Sequence, residues 1–269
     1  MVHAGAVPAR SGRVARRLYP LFCGYEVGDI SISLRGHSGT TTSMPIGSFL
    51  VETDAGYVLF DTGANEAIIW DPLLCPRYYP HARQPVVRPG DTLLERLASV
   101  NVSPSQVTHV IISHLHADHG GGIRHFPHAR IVVQRAEYDH GMRVDEHDPA
   151  SGYFRSDWDL PTTRWAIVDG DVEVAPGVVA LAAYGHTPGH QAALVELERT
   201  GAVLLPGDAG DLVRNFTEEI GPGGATDLEA AMATIRRLNA VRVERQALLF
   251  PGHDLSAWQR FRQAPDSYD

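Results

Sequence analysis

Four metal-binding side chains lie within six consecutive residues of this chain. The segment His114-Leu115-His116-Ala117-Asp118-His119 carries three imidazoles and one carboxylate. These two ligand types together suit zinc and its first-row neighbours. The alternative interpretation is a histidine-rich surface loop, which would require nothing from the rest of the sequence. A metal site does require more, because each ion needs further protein ligands.

The hexad could supply two half-sites, with His114 and His116 on one ion and Asp118 and His119 on another. Candidates for the remaining ligands should lie beside short apolar runs, because the loops that follow buried strands gather at one end of a sheet. Three downstream residues meet this condition: His190, Asp208 and His253.

The elements that would position these residues can also be read from the sequence. An apolar run predicts a buried strand over 107–112, directly before the hexad, and three glycines after it predict a turn. Further strands are predicted at 129–133 and 178–183, and the segment 198–201 predicts a hairpin turn.

Two capping-box patterns predict helix starts. Thr92 and Glu95 have the required spacing, and so do Thr226 and Glu229. The second helix would carry one apolar side made of Leu228, Met232, Ile235 and Leu238.

Composition predicts one globular domain over 1–269. The chain is 43% hydrophobic, and no apolar run approaches the roughly 18 residues needed to cross a bilayer. The basic segment 1–17 lacks the apolar core of a secretion signal and is interpreted as a frayed tail. A formal charge of −9 argues against a nucleic-acid partner. Two isolated cysteines, Cys23 (core) and Cys75 (loop), favour a reducing cytoplasm over a disulfide framework.

The order of these residues resembles the metallo-β-lactamase superfamily over nearly the whole chain. The segment 58–63, which ends in Asp61-Thr62-Gly63, is similar to the strand and turn that precede the hexad in that superfamily. The resemblance implies an α/β fold, the four-layer αβ/βα sandwich, with two mixed sheets face to face and helices outside.

The resemblance also implies a role for each ligand. His114, His116 and His190 would hold the first metal, and Asp118, His119 and His253 the second, with Asp208 bridging both. Asp61 is expected to hold a ligand imidazole through its second nitrogen, to form the turn before Thr62 and Gly63, or to do both. The metals are expected to be two divalent ions, zinc first, with iron, cobalt or manganese as alternatives.

Such a pair of ions implies hydrolysis, because bound water has its pKa lowered from about 16 toward 7 and can then attack a carbonyl. His116 stands where the flavo-di-iron oxidoreductases carry Glu, which argues against redox chemistry. Asp208 stands where the commonest zinc β-lactamases carry Cys, and the acidic charge disfavours a ribonuclease.

The N-acyl homoserine lactonase branch is the most similar, through the segments 116–138, 169–178, 187–191 and 250–254. That branch has a substrate-contacting Tyr three residues after the bridging Asp. This chain has Asp211 there, and Tyr184 or Tyr138 could take over the contact. Asp118, Asp208 and Asp211 are therefore the candidate catalytic residues.

The sequence thus predicts a lactonase that opens a small lactone, with an N-acyl homoserine lactone first. The alternatives are another lactone, such as a pyridoxolactone-like or secondary-metabolite lactone, a thioester cleaved as by glyoxalase II, and a non-catalytic metal-binding scaffold. Two stretches, 69–90 and 139–165, are expected to be irregular loops whose aromatic residues either shape the substrate pocket or fasten the loops to the body. A homodimer is expected from related lactonases.

Overall fold

The structure, a computed structural model, describes residues 12, 14–71, 83–145, 148 and 151–269. Two sheets are formed within these residues. The first contains the strands β1 Arg17–Asp29, β2 Thr41–Thr53, β3 Gly56–Phe60, β4 Arg83–Val86, β5 Val107–Ile111, β6 Arg130–Gln134 and β7 Arg164–Val168. The second contains β8 Val172–Ala175, β9 Val178–Ala182, β10 Gln191–Leu197, β11 Gly201–Leu205 and β12 Leu248–Leu249.

Both sheets are mixed. The first has the order β4-β1-β2-β3-β5-β6-β7, with parallel pairing from β3 through β7 and antiparallel pairing elsewhere. The second has the order β12-β11-β10-β9-β8, in which only β11 and β12 are parallel. Because β3 and β5 are parallel neighbours, the residues that follow them, Asp61 and the hexad, emerge at the same sheet edge.

Side-chain alternation along the strands produces the layers. In β2, Phe49 and Val51 face the second sheet, whereas Leu50 faces the opposite side. In β10, Val195 faces the first sheet and Leu194 packs on the helix side. The main core therefore lies between the two sheets, and a helical layer covers each outer face. This arrangement is the four-layer sandwich expected from the sequence.

The α-helices of the described residues are Ala67–Trp70, Leu93–Ser99, Ala117–Gly120, Arg135–Gly141, Arg155–Trp158, Val213–Thr217, Leu228–Arg245 and Leu255–Trp258. The short 3-10 helices are Ile30–Ile32, Pro104–Gln106, Ile123–His125 and Gly207–Ala209. None of the described helices is long and apolar enough to cross a bilayer.

One of the two predicted capping boxes is present. Thr92 and Glu95 cap Leu93–Ser99 reciprocally, as expected. The other prediction is wrong by one residue, because Asp227 rather than Thr226 is the N-cap of Leu228–Arg245, where its carboxylate accepts from the N–H of Ala230. A carboxylate at the N-cap also complements the helix dipole.

Of the predicted frayed tail, residues 1–11 and 13 lie outside the described residues, and the prediction of irregular loops needs correction in part. The N–H of Ala15, a fully buried residue, donates to the carbonyl of Glu196 at 2.7 Å, so the chain is anchored before β1 begins at Arg17. The stretch 139–165 contains a short helix, Arg155–Trp158. It also includes the end of the helix Arg135–Gly141 and the start of β7. Cys23 is buried, as expected for a core residue, whereas Cys75 lies outside the described residues.

Candidate metal centre

The hexad begins three residues after β5 and is partly helical. His116 is the N-cap of the single turn Ala117–Gly120, and its carbonyl accepts from the N–H groups of His119 and Gly120. The turn carries Asp118 and His119 away from the first two histidines. A helical turn therefore divides the hexad into two ligand groups, as predicted.

The first group consists of three imidazoles. Nε2 of His114 lies 2.8 Å from Nδ1 of His116, and Nε2 of His186 lies 3.3 Å from the same atom. The nitrogen donors of the three rings lie within 4.8 Å of one another, which suits ligands of one ion. His186, from the loop after β9, is thus the third member.

This position corrects the prediction made for His190. Both ring nitrogens of His190 are engaged with backbone: Nδ1 lies 3.1 Å from the carbonyl of Ala183, and Nε2 accepts the N–H of Asp208 at 3.0 Å. An Nε2 that accepts an N–H has no lone pair left for a metal. Burial, with the nearby imidazole of His186, lowers the pKa of His190 to about 3, so its ring is neutral. His190 fixes the loop of Asp208 instead of binding an ion.

The second group consists of Asp118, His119 and His253, whose donor atoms also lie within 4.8 Å of one another. Oδ2 of Asp118 is 3.2 Å from Nε2 of His119 and 3.8 Å from Nε2 of His253. All three residues are buried. The structure therefore brings together the three residues that the sequence assigned to a second ion.

Asp208 lies between the two groups and presents one oxygen to each. Its Oδ1 is 3.0 Å from Nε2 of His253 and 3.2 Å from Nε2 of His119. Its Oδ2 is 3.4 Å from Nε2 of His186 and 3.9 Å from Nε2 of His114. This is the geometry that a bridging carboxylate requires.

The second nitrogens of the ligand rings are held by buried acceptors. Asp61, which adopts φ 59°, accepts from Nδ1 of His119 at 2.9 Å and from the N–H of Ser113 at 2.7 Å. Nδ1 of His253 donates to the carbonyl of Pro45 at 2.7 Å. Because these contacts occupy Nδ1, each ring presents Nε2 to the centre. The contact predicted for Asp61 is present.

The two groups differ in charge. Burial, together with the neighbouring imidazolium of His119, lowers the pKa of His114 well below its usual value. Burial also disfavours charge on His253, but the carboxylate of Asp208 outweighs it and raises the pKa of His253 to about 10. Burial opposes ionisation of Asp118, yet the charge of His119 holds the pKa of that carboxyl below its ordinary value. His114 in the first group is thus a neutral imidazole, whereas the second group combines carboxylates with protonated imidazoles.

The donor set fits a metal centre. Oδ2 of Asp118 and Nε2 of His119 are buried and make no hydrogen bond with any described residue, although such atoms are normally paired. A cation between them would satisfy both, and imidazole with carboxylate is the ligand chemistry of zinc and its neighbours.

Glu137 is a supporting residue that the sequence analysis missed. It is fully buried and accepts four hydrogen bonds: from the N–H of Leu115, the hydroxyl of Tyr153, the hydroxyl of Thr187 and the N–H of Gly189. Leu115 separates His114 from His116, and Thr187 follows His186. One carboxylate therefore joins the two loops that supply the first group. No spacing signal marks it, because its four donors, two backbone N–H groups and two hydroxyls, are distant in sequence.

The aromatic residues have definite places. Tyr153 packs edge-on against His116 at 4.9 Å between ring centroids and is buried, so it borders the site. Phe154 and Trp158 are buried among apolar side chains and fasten their segment to the body. Trp70 is 73% exposed, and residues 72–82 lie outside the described residues.

The two tyrosines expected to compensate for Asp211 contact other residues. The hydroxyl of Tyr184 donates to Gln134, and Tyr138 packs edge-on against Trp165. Asp211 itself is buried, and a carboxylate oxygen of it lies within 4.8 Å of donor atoms of Asp208 and His253.

A two-sheet sandwich with a cluster of imidazoles and carboxylates at the strand ends defines a class of metal-dependent enzymes. The model of the metallo-beta-lactamase superfamily matches residues 44–253, and the chain belongs to this superfamily.

Curated relatives are similar over most of the chain. An N-acyl homoserine lactonase of Bacillus cereus is 34% identical over 218 residues, which cover 81% of this chain and 84% of that protein. The N-acyl homoserine lactonase AttM of Agrobacterium fabrum is 29% identical over 249 residues, 88% of this chain and 92% of that protein.

A solved structure is similar as well. An N-acyl homoserine lactone hydrolase with the product N-hexanoyl-L-homoserine bound at its catalytic metal center superposes with a TM-score of 0.86 at 32% identity. The match covers 95% of this chain and 100% of that one.

Proposed function

We propose that this chain is a dinuclear metal-dependent lactonase whose substrates are N-acyl homoserine lactones, and thus a quorum-quenching enzyme. The observation that carries the proposal is the position of Asp208, with Oδ1 facing His119 and His253 and Oδ2 facing His114 and His186. A carboxylate so placed would hold an ion on each side. The named activity of the relatives supports the lactone as substrate.

Two divalent cations held by these groups would supply an activated water and polarise the ester carbonyl. The chain's own residues have separate tasks. His114, His116, His186, Asp118, His119, His253 and Asp208 would hold the ions. We propose zinc for the three-imidazole group, since imidazole suits this metal.

Ring opening forms one bond from water oxygen to the carbonyl carbon and breaks the bond from that carbon to the ring oxygen. The proton released by the water must reach the departing alkoxide, which then becomes the hydroxyl of the product. Asp208 is positioned to carry it, because its carboxylate lies between the two ligand groups at the centre of the cluster. Asp118 would serve as a ligand of the second ion, because its Oδ2 faces Nε2 of both His119 and His253.

The test is hydrolysis by the purified, metal-loaded protein of N-hexanoyl homoserine lactone, a simple aliphatic lactone, a glutathione thioester and a chromogenic β-lactam. The expected result is that the homoserine lactone has the highest kcat/KM. Asp208→Asn should lose activity by at least about a hundredfold, in the range of other electrostatic active-site groups. Its control is Asp54→Asn, because Asp54 is an exposed carboxylate paired with Arg16 far from the cluster.

Preference for the thioester would replace the lactonase proposal with a glyoxalase II-type activity, and absence of hydrolysis in every arm would favour the non-catalytic scaffold. The cytoplasmic location and the homodimer expected from the sequence stay predictions.

A further inference from the structure

Asp211 brings a third carboxylate to the second ligand group. It lies just beyond the 3-10 helix Gly207–Ala209, and its own carbonyl accepts the N–H of His253 at 3.2 Å. This hydrogen bond joins the Asp208 loop to the His253 loop. We propose that Asp211 is an additional metal ligand and makes the second position a site for a harder, oxygen-preferring divalent cation such as Mn²⁺. The inference rests on the dinuclear centre of the proposed function and adds to it.

The distances support a shared cation. One donor atom each from Asp208, Asp211 and His253 lies within 4.8 Å of the other two, and His253 has the same relationship with Asp118 and His119. His253 is therefore common to both sets, which places Asp211 beside the second group. Ligands of one ion at metal–donor distances of about 2.1 Å lie no further apart than about 4 Å.

Charge gives an independent argument. Asp118, Asp208 and Asp211 are each at most 4% exposed, and three carboxylates in one buried volume repel one another. Such burial is stable only when cations balance it. Two atoms that face the same volume, Oδ2 of Asp118 and Nε2 of His119, make no hydrogen bond with the described residues. A divalent ion would satisfy them and offset the negative charge.

The two groups then differ in hardness. Asp208 is common to both, and beyond it the first group offers three imidazoles. The second offers two imidazoles and the carboxylates of Asp118 and Asp211. Carboxylate ligands suit manganese and magnesium, whereas imidazole suits zinc, copper, iron and nickel. Asp211 thus raises the affinity of the second position for an oxygen-preferring ion relative to that of the first.

The experiment is titration of the metal-free protein with MnCl₂, followed by electron paramagnetic resonance of free Mn²⁺. The wild type should hold at least one Mn²⁺, and Asp211→Asn should bind it at least about tenfold more weakly, since even residues outside the ligand sphere change metal affinity by about 10–100-fold. Zinc bound by the first group, measured by mass spectrometry of the protein loaded with one equivalent, should be unchanged.

The control is Asp157→Asn, because Asp157 is an equally buried carboxylate that pairs with Arg124 and Asn65 rather than with the cluster. It should bind Mn²⁺ as the wild type does. The thermal midpoint of metal-free Asp211→Asn should stay close to that of the wild type, because the lost carboxylate is repelled by Asp118 and Asp208 but attracted by the protonated ring of His253.

Equal Mn²⁺ affinities of Asp211→Asn and the wild type would overturn the inference. So would a lower thermal midpoint of the metal-free variant together with equally weakened affinities for zinc and manganese, because that pattern would show a structural role. A protein that binds both ions but cleaves no lactone would remove the proposed function and leave the assignment of Asp211 intact.

Discussion

The hydroxyl of Thr187 donates to Oε2 of Glu137 at 2.5 Å, and this contact joins the His186 loop to the helix after β6. The other carboxylate oxygen of Glu137 accepts from the N–H of Leu115 and the hydroxyl of Tyr153. The two loops of the three-imidazole group are therefore positioned by a residue that is not among the proposed ligands.

Replacement of Glu137 by Gln should weaken metal binding at the first group. A Gln side chain turns an NH₂ group toward two of the four donors, so the loops that carry His116 and His186 must shift. The expected loss in zinc affinity is about 10–100-fold, as for other residues that orient ligands, and chelator competition measures it. Glu52→Gln, which alters an exposed pair with Arg17, is the control and should bind zinc normally.

Substitution of His186 and of His190 should give different defects. His186→Ala should lower the metal content and leave the metal-free protein as stable as the wild type. His190→Ala should lower the stability of the metal-free protein by about 1–3 kcal/mol, because the carbonyl of Ala183 and the N–H of Asp208 lose a buried partner. Metal analysis and denaturant unfolding separate the two. The opposite pattern would restore His190 as the ligand.

A Cβ at Gly152 should disturb the site directly. Gly152 has φ +74°, and an added Cβ would lie 3.0 Å from Cδ2 of His116. Gly201, with φ +80° and nothing within 4 Å, supplies the matched control. Gly152→Ala and Gly201→Ala should both lose about 1–2 kcal/mol of stability from the left-handed backbone. Only Gly152→Ala should also lose metal affinity; equal affinities would show that His116 moves without cost.

The metal-free protein should become less stable as the pH rises from about 6.5 to about 10. Burial opposes protonation of His253, but Asp208 raises its folded pKa to about 10, above the unfolded value near 6.5. A raised pKa contributes stability that is complete below the unfolded value and is lost as the pH passes through the folded one. His190, whose folded pKa is lowered to about 3, is neutral in the folded state throughout this window, and because its unfolded form loses its proton near pH 6.5 it opposes the trend only at the start. Chemical unfolding at pH 6.5, 8 and 9.5 checks the trend, and a rise in stability would contradict it.

Much of the centre could be predicted because its ligands are chemically distinctive. The hexad, Asp208 and His253 combine metal-binding types with positions beside apolar runs, and the structure gathers them. The choice between His186 and His190 could not be made by spacing, since both lie in the segment 185–190. Backbone partners decide which ring has a free nitrogen, and those partners are set by tertiary packing.

The fold was predictable to a similar depth. The apolar runs at 107–112, 129–133 and 178–183 predicted strands that the structure contains. The hairpin predicted at 198–201 is also present, because β10 and β11 pair across that turn. The contributions of Glu137 and Tyr153 were not predictable. They depend on burial and on hydrogen bonds between distant loops, which leave no periodic pattern in the sequence.

The ligands come from both sheets: the hexad follows β5 of the first, while His186 and Asp208 follow strands of the second. A bound cation would therefore link the two sheets. Its complete binding site forms only after the two sheets have packed together. Ions bound solely by the native state shift the unfolding equilibrium by mass action, about 2.7 kcal/mol for each at a hundredfold excess over its Kd. Metal supply would then set the working lifetime of the protein as well as its activity, and a chelator would act as a denaturant.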